Sequence, residues 1–202
     1  MTTSNYDTSA EVLERYVKAT PKLETFYDMA VNYFQCKCLG KTNLERCPPV
    51  ALSLRDPDHV FTVRPGFKKP KKRRQADGSA IFEQYGQMQF DTVYIDCVSI
   101  TELPPQNGRP VLKHSKACKL QLDASGKLSQ HGTWYHRQAP IAVHEFVNVV
   151  GEFILFPWQI FSRSKDRCCC CGKLLTDNIS RSRGVGPECL RSAALCFGKP
   201  IK

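Results

Sequence analysis

The chain has 202 residues, of which 42% are hydrophobic and 24% are charged, and its formal net charge is +10. The first two values are ordinary for a globular protein and exclude wholesale disorder. No apolar run approaches the roughly twenty residues of a membrane-spanning helix, and the positive charge favours a polyanionic partner, most commonly nucleic acid.

The N-terminus and the cysteine content indicate the compartment. The N-terminus has neither the basic stretch nor the apolar core of a secretory signal. The chain contains 11 cysteines, four of them in a row, which in an unsecreted protein are thiols and metal ligands and not disulfides. We therefore expect an intracellular protein, located in the cytoplasm or, in a eukaryotic host, in the nucleus.

The first segment, residues 1–48, has a helical pattern. Apolar residues recur at three- and four-residue spacing over residues 10–34. Pro21 interrupts the pattern and divides it into two predicted helices, at residues 10–19 and 22–35. Their apolar faces need a partner surface, so the sequence predicts a helical pair that docks on the rest of the protein.

The second segment, residues 49–79, combines two predicted strands, 49–54 and 59–63, with a strongly basic loop. Residues 64–74 contain seven Arg or Lys side chains, two prolines and no acidic residue. We expect an exposed loop without a packed element, because proline and like charges oppose packing. Its predicted role is phosphate contact or, in a eukaryotic cell, nuclear import. The phosphate-binding residues predicted here are Lys68, Lys69, Lys71, Lys72, Arg73 and Arg74.

The third segment, residues 80–162, is predicted to form a strand-rich core with one helix. Its expected elements are strands within 87–100, 119–123 and 132–136, turns at 104–110 and 124–127, a helix that begins at Pro140, and a buried strand or connector at 153–161.

The last segment, residues 163–202, contains the most specific pattern of the chain. Cys168 and Cys171 form a C-x-x-C pair, a spacing that brings two thiolates to one Zn²⁺ ion at about 2.3 Å. Gly172 allows a tight turn directly after the pair. Cys189 follows a proline that is suited to the first turn of a helix. The sequence therefore predicts a zinc site that contains these three cysteines.

The residues around the three cysteines follow a longer pattern. They are Cys168, Cys171, Gly172, Lys173, Leu175, Thr176, Asp177, Ser180, Gly184, Gly186, Pro187 and Cys189. This pattern resembles a small, poorly characterised zinc-binding domain of phage and bacterial proteins, C-x-x-C-G-[KR]-x-L-T-[DN]-x-x-S-x-x-x-G-x-G-P-x-C. The resemblance covers residues 167–190. It implies metal binding in a family that often accompanies nucleic-acid-handling proteins, and it implies no known reaction.

The sequence leaves the fourth zinc ligand open. Cys196 is a candidate, but about 10 Å of rise separates it from Cys189 if both lie on one helix. Thiolates on one tetrahedral zinc lie about 4 Å apart, so Cys196 can ligate only if that helix ends early, near Ala193. The other candidates are Cys36, Cys38, Cys47, a histidine, Cys169 and Cys170. The favoured role of the zinc is to stabilise the fold.

We interpret the chain as an α+β protein with an N-terminal helical pair, a central strand-rich core that includes one helix, and a C-terminal zinc-binding module. The predicted function is that of a basic, zinc-containing protein that binds DNA or RNA, is not an enzyme, and has a viral or phage origin. Arg181, Arg183 and Arg191 of the zinc module are predicted to contact phosphates as well. Such contacts give affinity and not sequence specificity.

Two alternative functions belong to other classes. The first is a protein-interaction or inhibitor module that binds a host or replication protein through the helices at 10–35 and the zinc module. The second, which has less support, is a metal-stabilised nuclease, for which the sequence offers no catalytic pattern. Salt-dependent binding to DNA or RNA would separate the first prediction from the interaction module, and metal-dependent cleavage would indicate the enzyme.

Overall fold

A five-stranded antiparallel sheet lies at the centre of the fold. The computed structural model describes residues 9–18, 22–38, 51–66, 72–74, 80–82, 92–106 and 109–200. The strands are β1 (Leu52–Arg55), β2 (His59–Gly66), β3 (Lys72–Arg74), β4 (Ala80–Phe82), β5 (Thr92–Gln106), β6 (Arg109–Asp123) and β7 (Leu128–Trp134). Their order in the sheet is β1-β2-β5-β6-β7, so that β1 and β7 are its edges, while β3 and β4 form a separate two-stranded ribbon.

Helices precede and follow the strands along the chain. They are α1 (Ser9–Lys18), α2 (Leu23–Cys38), α3 (Ala139–Leu155), α4 (Pro157–Ser162), α5 (Asn178–Arg183) and α6 (Pro187–Phe197). A proline stands in the first turn of α3, α4 and α6, where its missing N–H removes no helical hydrogen bond. None of the described helices is both long enough and apolar enough to cross a membrane. The predicted α+β class is confirmed.

One hydrophobic core joins the helices to the sheet. In β1 and in the first part of β2, buried positions alternate with partly exposed ones, as expected for strands that have one covered face. The ring of Phe146 in α3 makes edge contacts with Phe26 of α2 and Phe61 of β2, at centroid separations of 5.9 and 5.4 Å. The cysteine-rich C-terminal segment also contributes buried residues to this core.

The predicted N-terminal helical pair is present as α1 and α2. The apolar face of α2 is fully buried, with Phe26, Ala30, Tyr33 and Phe34 at 0% exposure. α2 packs on α3, α6 and strands of the sheet, so the partner surface that its apolar face requires lies within the chain. A protein partner of α2 would therefore meet the polar face of this helix.

Prolines lie inside strands where the sequence predicts turns or loops. The turn predicted at 104–110 is wrong in its extent, because β5 continues through Pro104 and Pro105. Pro65 likewise lies within β2. A strand tolerates proline where the missing N–H faces no partner strand. β1 ends its pairing with β2 before Pro65, and β2 ends its pairing with β5 before Pro104, so each proline has a free edge beside it.

The basic segment contains paired backbone, which contradicts the expectation of a loop without structure. Residues 64–66 belong to β2, and residues 72–74 form β3, which pairs with β4. Lys72, Arg73 and Arg74 thus lie next to one another on one strand of the ribbon. Lys68, Lys69 and Lys71 lie outside the described residues.

Residues 153–161 are helical except for Phe156, and the predicted buried strand or connector at this place is wrong. They form the end of α3 and most of α4, and Pro157 begins α4. A short apolar run does not distinguish a buried helix from a buried strand by its periodicity. Phe153, Ile160 and Phe161 all have 0% exposure, whereas Leu155 and Phe156 between them are 58% and 50% exposed, so burial accounts for only part of the apolar composition of this region.

Candidate metal centre

Two backbone hydrogen bonds close the turn that carries Cys168 and Cys171. The Gly172 N–H donates to the Cys168 carbonyl, and the Cys168 N–H donates to the Lys173 carbonyl, each at 2.8 Å. Gly172 has a φ of +72°, a left-handed conformation that glycine adopts without steric cost. This cysteine turn, residues 168–172, brings the two side chains together.

Cys189 approaches the cysteine turn from the first turn of α6. Its N–H donates to the Gly186 carbonyl at 3.0 Å. Gly184, a little earlier in the chain, has a φ of +67°, and a Cβ atom there would lie 1.6 Å from the carbonyl oxygen of Phe161. The chain therefore passes Phe161 at a distance that only glycine allows, and this passage sets the position from which α6 begins.

The three predicted ligands converge on one point. The Sγ atoms of Cys168, Cys171 and Cys189 all lie within 4.8 Å of one another. Sulfurs bound to a tetrahedral metal at about 2.3 Å are separated by about 4 Å, so a small adjustment brings all three into coordination. Thiolate sulfur is a soft ligand that suits zinc among other metals. These cysteines can hold a metal ion, and their chemistry fits the predicted zinc.

Hydrogen bonds to sulfur shape the electrostatics of the site. The Gly186 N–H donates to the Sγ of Cys168 at 3.3 Å. The thiols of Cys170 and Cys189 and, to a smaller extent, the N–H groups of Gly186 and Cys170 hold the pKa of Cys168 below its usual value. Partial desolvation acts in the opposite direction on Cys171, although it is the exposed cysteine of the three, and raises its pKa to about 12. A metal that binds here therefore displaces protons from thiols.

Two side chains of helix α2 also contact the site, and the sequence analysis did not predict either contact. The Nζ of Lys37 donates to the Sγ of Cys189 at 3.2 Å, and the Tyr33 hydroxyl donates to the Cys170 carbonyl at 3.4 Å. The sequence shows Lys37 between Cys36 and a second cysteine. That signal points to possible thiol ligands, and nothing in it assigns a role to the lysine.

Cys196 is not brought to the three cysteines. α6 runs to Phe197 without ending near Ala193, so the condition under which Cys196 would ligate is not met. Its thiol instead contacts the thiol of Cys36 and lies 3.9 Å from the carbonyl oxygen of Asn32. The rise of the helix separates Cys196 from the cysteine turn.

Among the other predicted fourth ligands in the described residues, Cys170 contacts the cluster. Its thiol interacts with those of Cys168 and Cys189, and it is only 2% exposed. Cys169 is directed elsewhere, because its thiol donates to the Phe161 carbonyl at 3.6 Å. Cys47 and the side chain of Cys38 lie outside the described residues.

A cavity of about 170 Å³ adjoins the cluster and is lined by all three cysteines. Lys173 and Glu188 also line it, and their ion pair has an N–O distance of 2.8 Å. Cys171 is the exposed member of the cluster. With Cys170 as fourth ligand the site would be closed and structural, whereas with three protein ligands a water molecule would complete the coordination from this cavity.

The cysteine turn is attached to the sheet through the backbone of Cys169. The Ser53 N–H of the edge strand β1 donates to the Cys169 carbonyl at 2.8 Å, and the Cys169 N–H donates to the Gly184 carbonyl at 2.9 Å. Cys169 itself is only 3% exposed. The backbone of the cysteine turn is thereby joined to β1 by a hydrogen bond.

The predicted phosphate-binding arginines of this segment have different surroundings. Arg181 lies in α5, and its Nε donates to the Leu175 carbonyl at 2.9 Å, so this side chain supports the loop that follows the cysteine turn. Arg183 is half-buried at the end of α5, and Arg191 is exposed on α6. Neither Arg183 nor Arg191 forms an ion pair with another described residue.

Comparison with known proteins finds a similarity for one segment of the chain. Neither a curated protein nor a solved structure matches the chain. Residues 161–193 match the model of a family of unknown function, DUF6011. This match includes the three clustered cysteines and ends before Cys196, and it excludes Lys37. The candidate metal centre therefore lies in a segment that is similar to this family.

Proposed function

We propose that the chain is a zinc-containing, non-enzymatic protein that binds nucleic acid through basic residues next to its metal centre. The observation that carries this proposal is the uncompensated positive charge around the cysteine cluster. Residues 163–202 contain nine basic and three acidic residues, a net charge of +6. Two of the acids are engaged locally, since Glu188 pairs with Lys173 and Asp177 accepts the Ser180 N–H at 2.7 Å as the N-cap of α5.

Several of the cations in this segment are exposed to solvent. Lys165, Arg191 and Lys199 are exposed, and they form no ion pair with other described residues. A surface of this kind attracts phosphates and contributes affinity without sequence readout. The metal would hold the cysteine turn and α6 in the geometry that presents these cations.

The test of nucleic-acid binding is its dependence on salt. Labelled single-stranded DNA, double-stranded DNA and RNA of equal length are titrated with the full chain by fluorescence anisotropy between 50 and 200 mM salt. A protein that contacts about six phosphates loses on the order of 10³-fold in affinity over this range. Absence of binding at 50 mM salt would contradict the proposal.

A variant pair assigns the binding to the C-terminal cations. Arg191→Gln should weaken binding and reduce the salt slope by about one phosphate contact, and zinc content should not change. Arg181→Gln removes the hydrogen bond to Leu175 and should also loosen the loop, so it serves as the comparison for structural damage. If Arg191→Gln leaves both affinity and slope unchanged, this surface is not the binding site.

Exposed apolar side chains favour a second candidate function, a protein-interaction module. Leu174, Ile179 and Leu195 are 66%, 62% and 73% exposed, and all three lie in the C-terminal segment. Exposed apolar side chains mark a protein-binding surface where they form a contiguous patch, and these three are the residues that would form it. This alternative would be supported by a complex with another protein that forms without nucleic acid and survives 200 mM salt. The Ile179→Lys variant should not form that complex.

A further inference from the structure

Lys37 approaches the metal ligands from a helix far away in the sequence. It lies in the last turn of α2, and its Nζ is 3.2 Å from the Sγ of Cys189. The side chain is half-buried, so the ammonium group is held against the sulfur by the packing of α2 on α6. This contact is a charge-assisted hydrogen bond from a cation to a predicted metal ligand.

The charge of the metal centre explains why a cation belongs there. Three thiolates on a divalent metal leave one uncompensated negative charge, and a fourth thiolate from Cys170 would leave two. Cys168 and Cys189 are only 2% and 3% exposed, so water screens this charge poorly, and a charge removed from water is costly unless it is paired. An ammonium group 3.2 Å from one of the sulfurs supplies the opposite charge.

Other contacts bind the same face of α2 to the metal segment. The Tyr33 hydroxyl donates to the Cys170 carbonyl within the cysteine turn. The ring of Tyr33 stacks on Phe197 at the end of α6, with a centroid separation of 5.5 Å. The position of α2 is thus tied to both elements that carry the metal ligands.

We propose that Lys37 is an outer-sphere residue of the metal centre, where its ammonium group compensates one negative charge of the metal–thiolate complex and couples metal binding to the docking of α2 on α6. The inference rests on the proposed zinc site. It extends that site beyond residues 161–193, which match the family. Lys37 is a positioning residue here, because it acts through the sulfur of Cys189.

Lys173 provides a matched control. It is also a lysine beside the cluster, and its removal changes the net charge by the same amount. Its ammonium group is exposed and pairs with Glu188 at 2.8 Å, and no hydrogen bond from it to a ligand sulfur is present among the described residues. A general electrostatic effect would appear in Lys173→Met as strongly as in Lys37→Met, whereas the specific contact predicts an effect for Lys37 alone.

The experiment measures Zn²⁺ affinity of the full chain by competition with a chromogenic chelator, for the parent and for Lys37→Met, Lys37→Arg and Lys173→Met. Loss of an outer-sphere partner typically costs about 10- to 100-fold in metal affinity, which is the result expected for Lys37→Met. Lys37→Arg should recover most of the affinity, and Lys173→Met should resemble the parent. The thiolate-to-metal absorption of the Co²⁺-loaded protein should shift in Lys37→Met and not in Lys173→Met.

Hydrogen exchange measures the coupling to α2. In the parent, addition of Zn²⁺ to the metal-free chain should slow exchange of the α2 amides near Lys37 by about tenfold or more. The same addition to Lys37→Met, at a Zn²⁺ concentration that saturates it, should slow them much less. Equal affinity, equal absorption and equal protection in Lys37→Met and the parent would overturn the inference. A parent chain that binds no metal would overturn the zinc site itself.

Discussion

At the scale of single residues, two glycines that the sequence places two positions apart have different functions. Gly184 has a left-handed φ of +67° and passes against the backbone of Phe161, whereas Gly186 has a φ of −73° and a hypothetical Cβ there would lie 3.5 Å from the Leu175 side chain. Both glycines lie in the matched segment, and their spacing in the sequence does not show that their structural roles differ. Steric contact shows that Gly184 is the position that determines how α6 meets the cysteine turn.

Gly184→Ala should therefore destabilise the protein strongly, and Gly186→Ala should be tolerated. The left-handed conformation costs a side chain on the order of 1 kcal/mol, and the 1.6 Å overlap with the Phe161 carbonyl adds a backbone displacement. Urea unfolding with parallel zinc analysis measures both effects. Equal losses in the two variants would show that the close passage at Phe161 is not important.

The metal ligands yield a second prediction at this scale. Cys171→Ser should abolish tight binding of zinc, because it removes one of three converging sulfurs, whereas Cys196→Ser should keep one zinc per chain. Metal content of the purified variants decides this directly. Loss of zinc in Cys196→Ser would show that α6 rearranges when metal binds.

The affinity for zinc should also rise with pH. Partial desolvation raises the pKa of Cys171 to about 12, so its proton must leave when metal binds. Affinity should then increase by about tenfold per pH unit for each displaced proton below the thiol pKa values. Chelator competition between pH 6 and pH 8 measures the slope, and a flat profile would contradict the assignment of thiols as ligands.

At the scale of elements, a buried ion pair organises the turn between β1 and β2. The Asp56 carboxylate accepts the N–H groups of Asp58 and His59, each at 2.7 Å, and lies 3.3 Å from the Nδ1 of His59. Asp56 and His59 are 7% and 6% exposed. Sequence reasoning did not single out this pair, because an Asp and a His three positions apart have no specific meaning before the turn is known.

This pair should make stability depend on pH. Its hydrogen bond to Asp56 raises the pKa of His59; burial opposes ionisation of Asp56, but the bonds from His59 and Asp58 hold the pKa of Asp56 below its usual value. The pair should make its full contribution to the free energy of unfolding between about pH 4 and 6.5, which are the ordinary pKa values of an Asp and a His side chain. It should be lost as pH rises through the folded-state pKa of His59 or falls through that of Asp56.

The measurement is urea unfolding of the parent and of His59→Gln from pH 3 to pH 9. We expect the variant to lose on the order of 1 kcal/mol near pH 5.5 and less near pH 9. An identical difference at both pH values would indicate that His59 contributes through packing on Phe61 and not through its charge.

The elements also show what local sequence can predict. The helical pair, the turn at 124–127 and the helix that contains Pro140 follow from periodicity and turn residues, and Gly126 in that turn has a positive φ of 76°. Residues 153–161 and the prolines of β5 depend on neighbours that are distant in the sequence, because a buried helix resembles a buried strand and a proline is acceptable only beside a free edge. The cluster of three cysteines that could hold a metal was predictable from their spacing, whereas Lys37 comes from another segment.

At the scale of the whole molecule, the cysteine turn is part of the folding core. Cys168, Cys169 and Cys170 are buried together with residues of α2, α4 and the sheet. Removal of metal should therefore lower the midpoint of thermal unfolding for the entire chain and not only for its C-terminal segment. Calorimetry with and without chelator tests this, and an unchanged main transition would show that the metal stabilises the C-terminal segment alone.

The backbone hydrogen bond between Ser53 and Cys169 has a consequence for solubility. β1 is an edge strand, and an edge strand with unsatisfied N–H and C=O groups is a template for pairing with another chain. The Cys169 carbonyl occupies the outward N–H of Ser53 at 2.8 Å, so the cysteine turn caps this edge as long as its ligands hold their positions. Chelation should then release the edge and lead to intermolecular strand pairing, seen as concentration-dependent light scattering that zinc prevents. A metal bound by the cysteines would thus prevent aggregation at the β1 edge indirectly, by holding the cysteine turn in place.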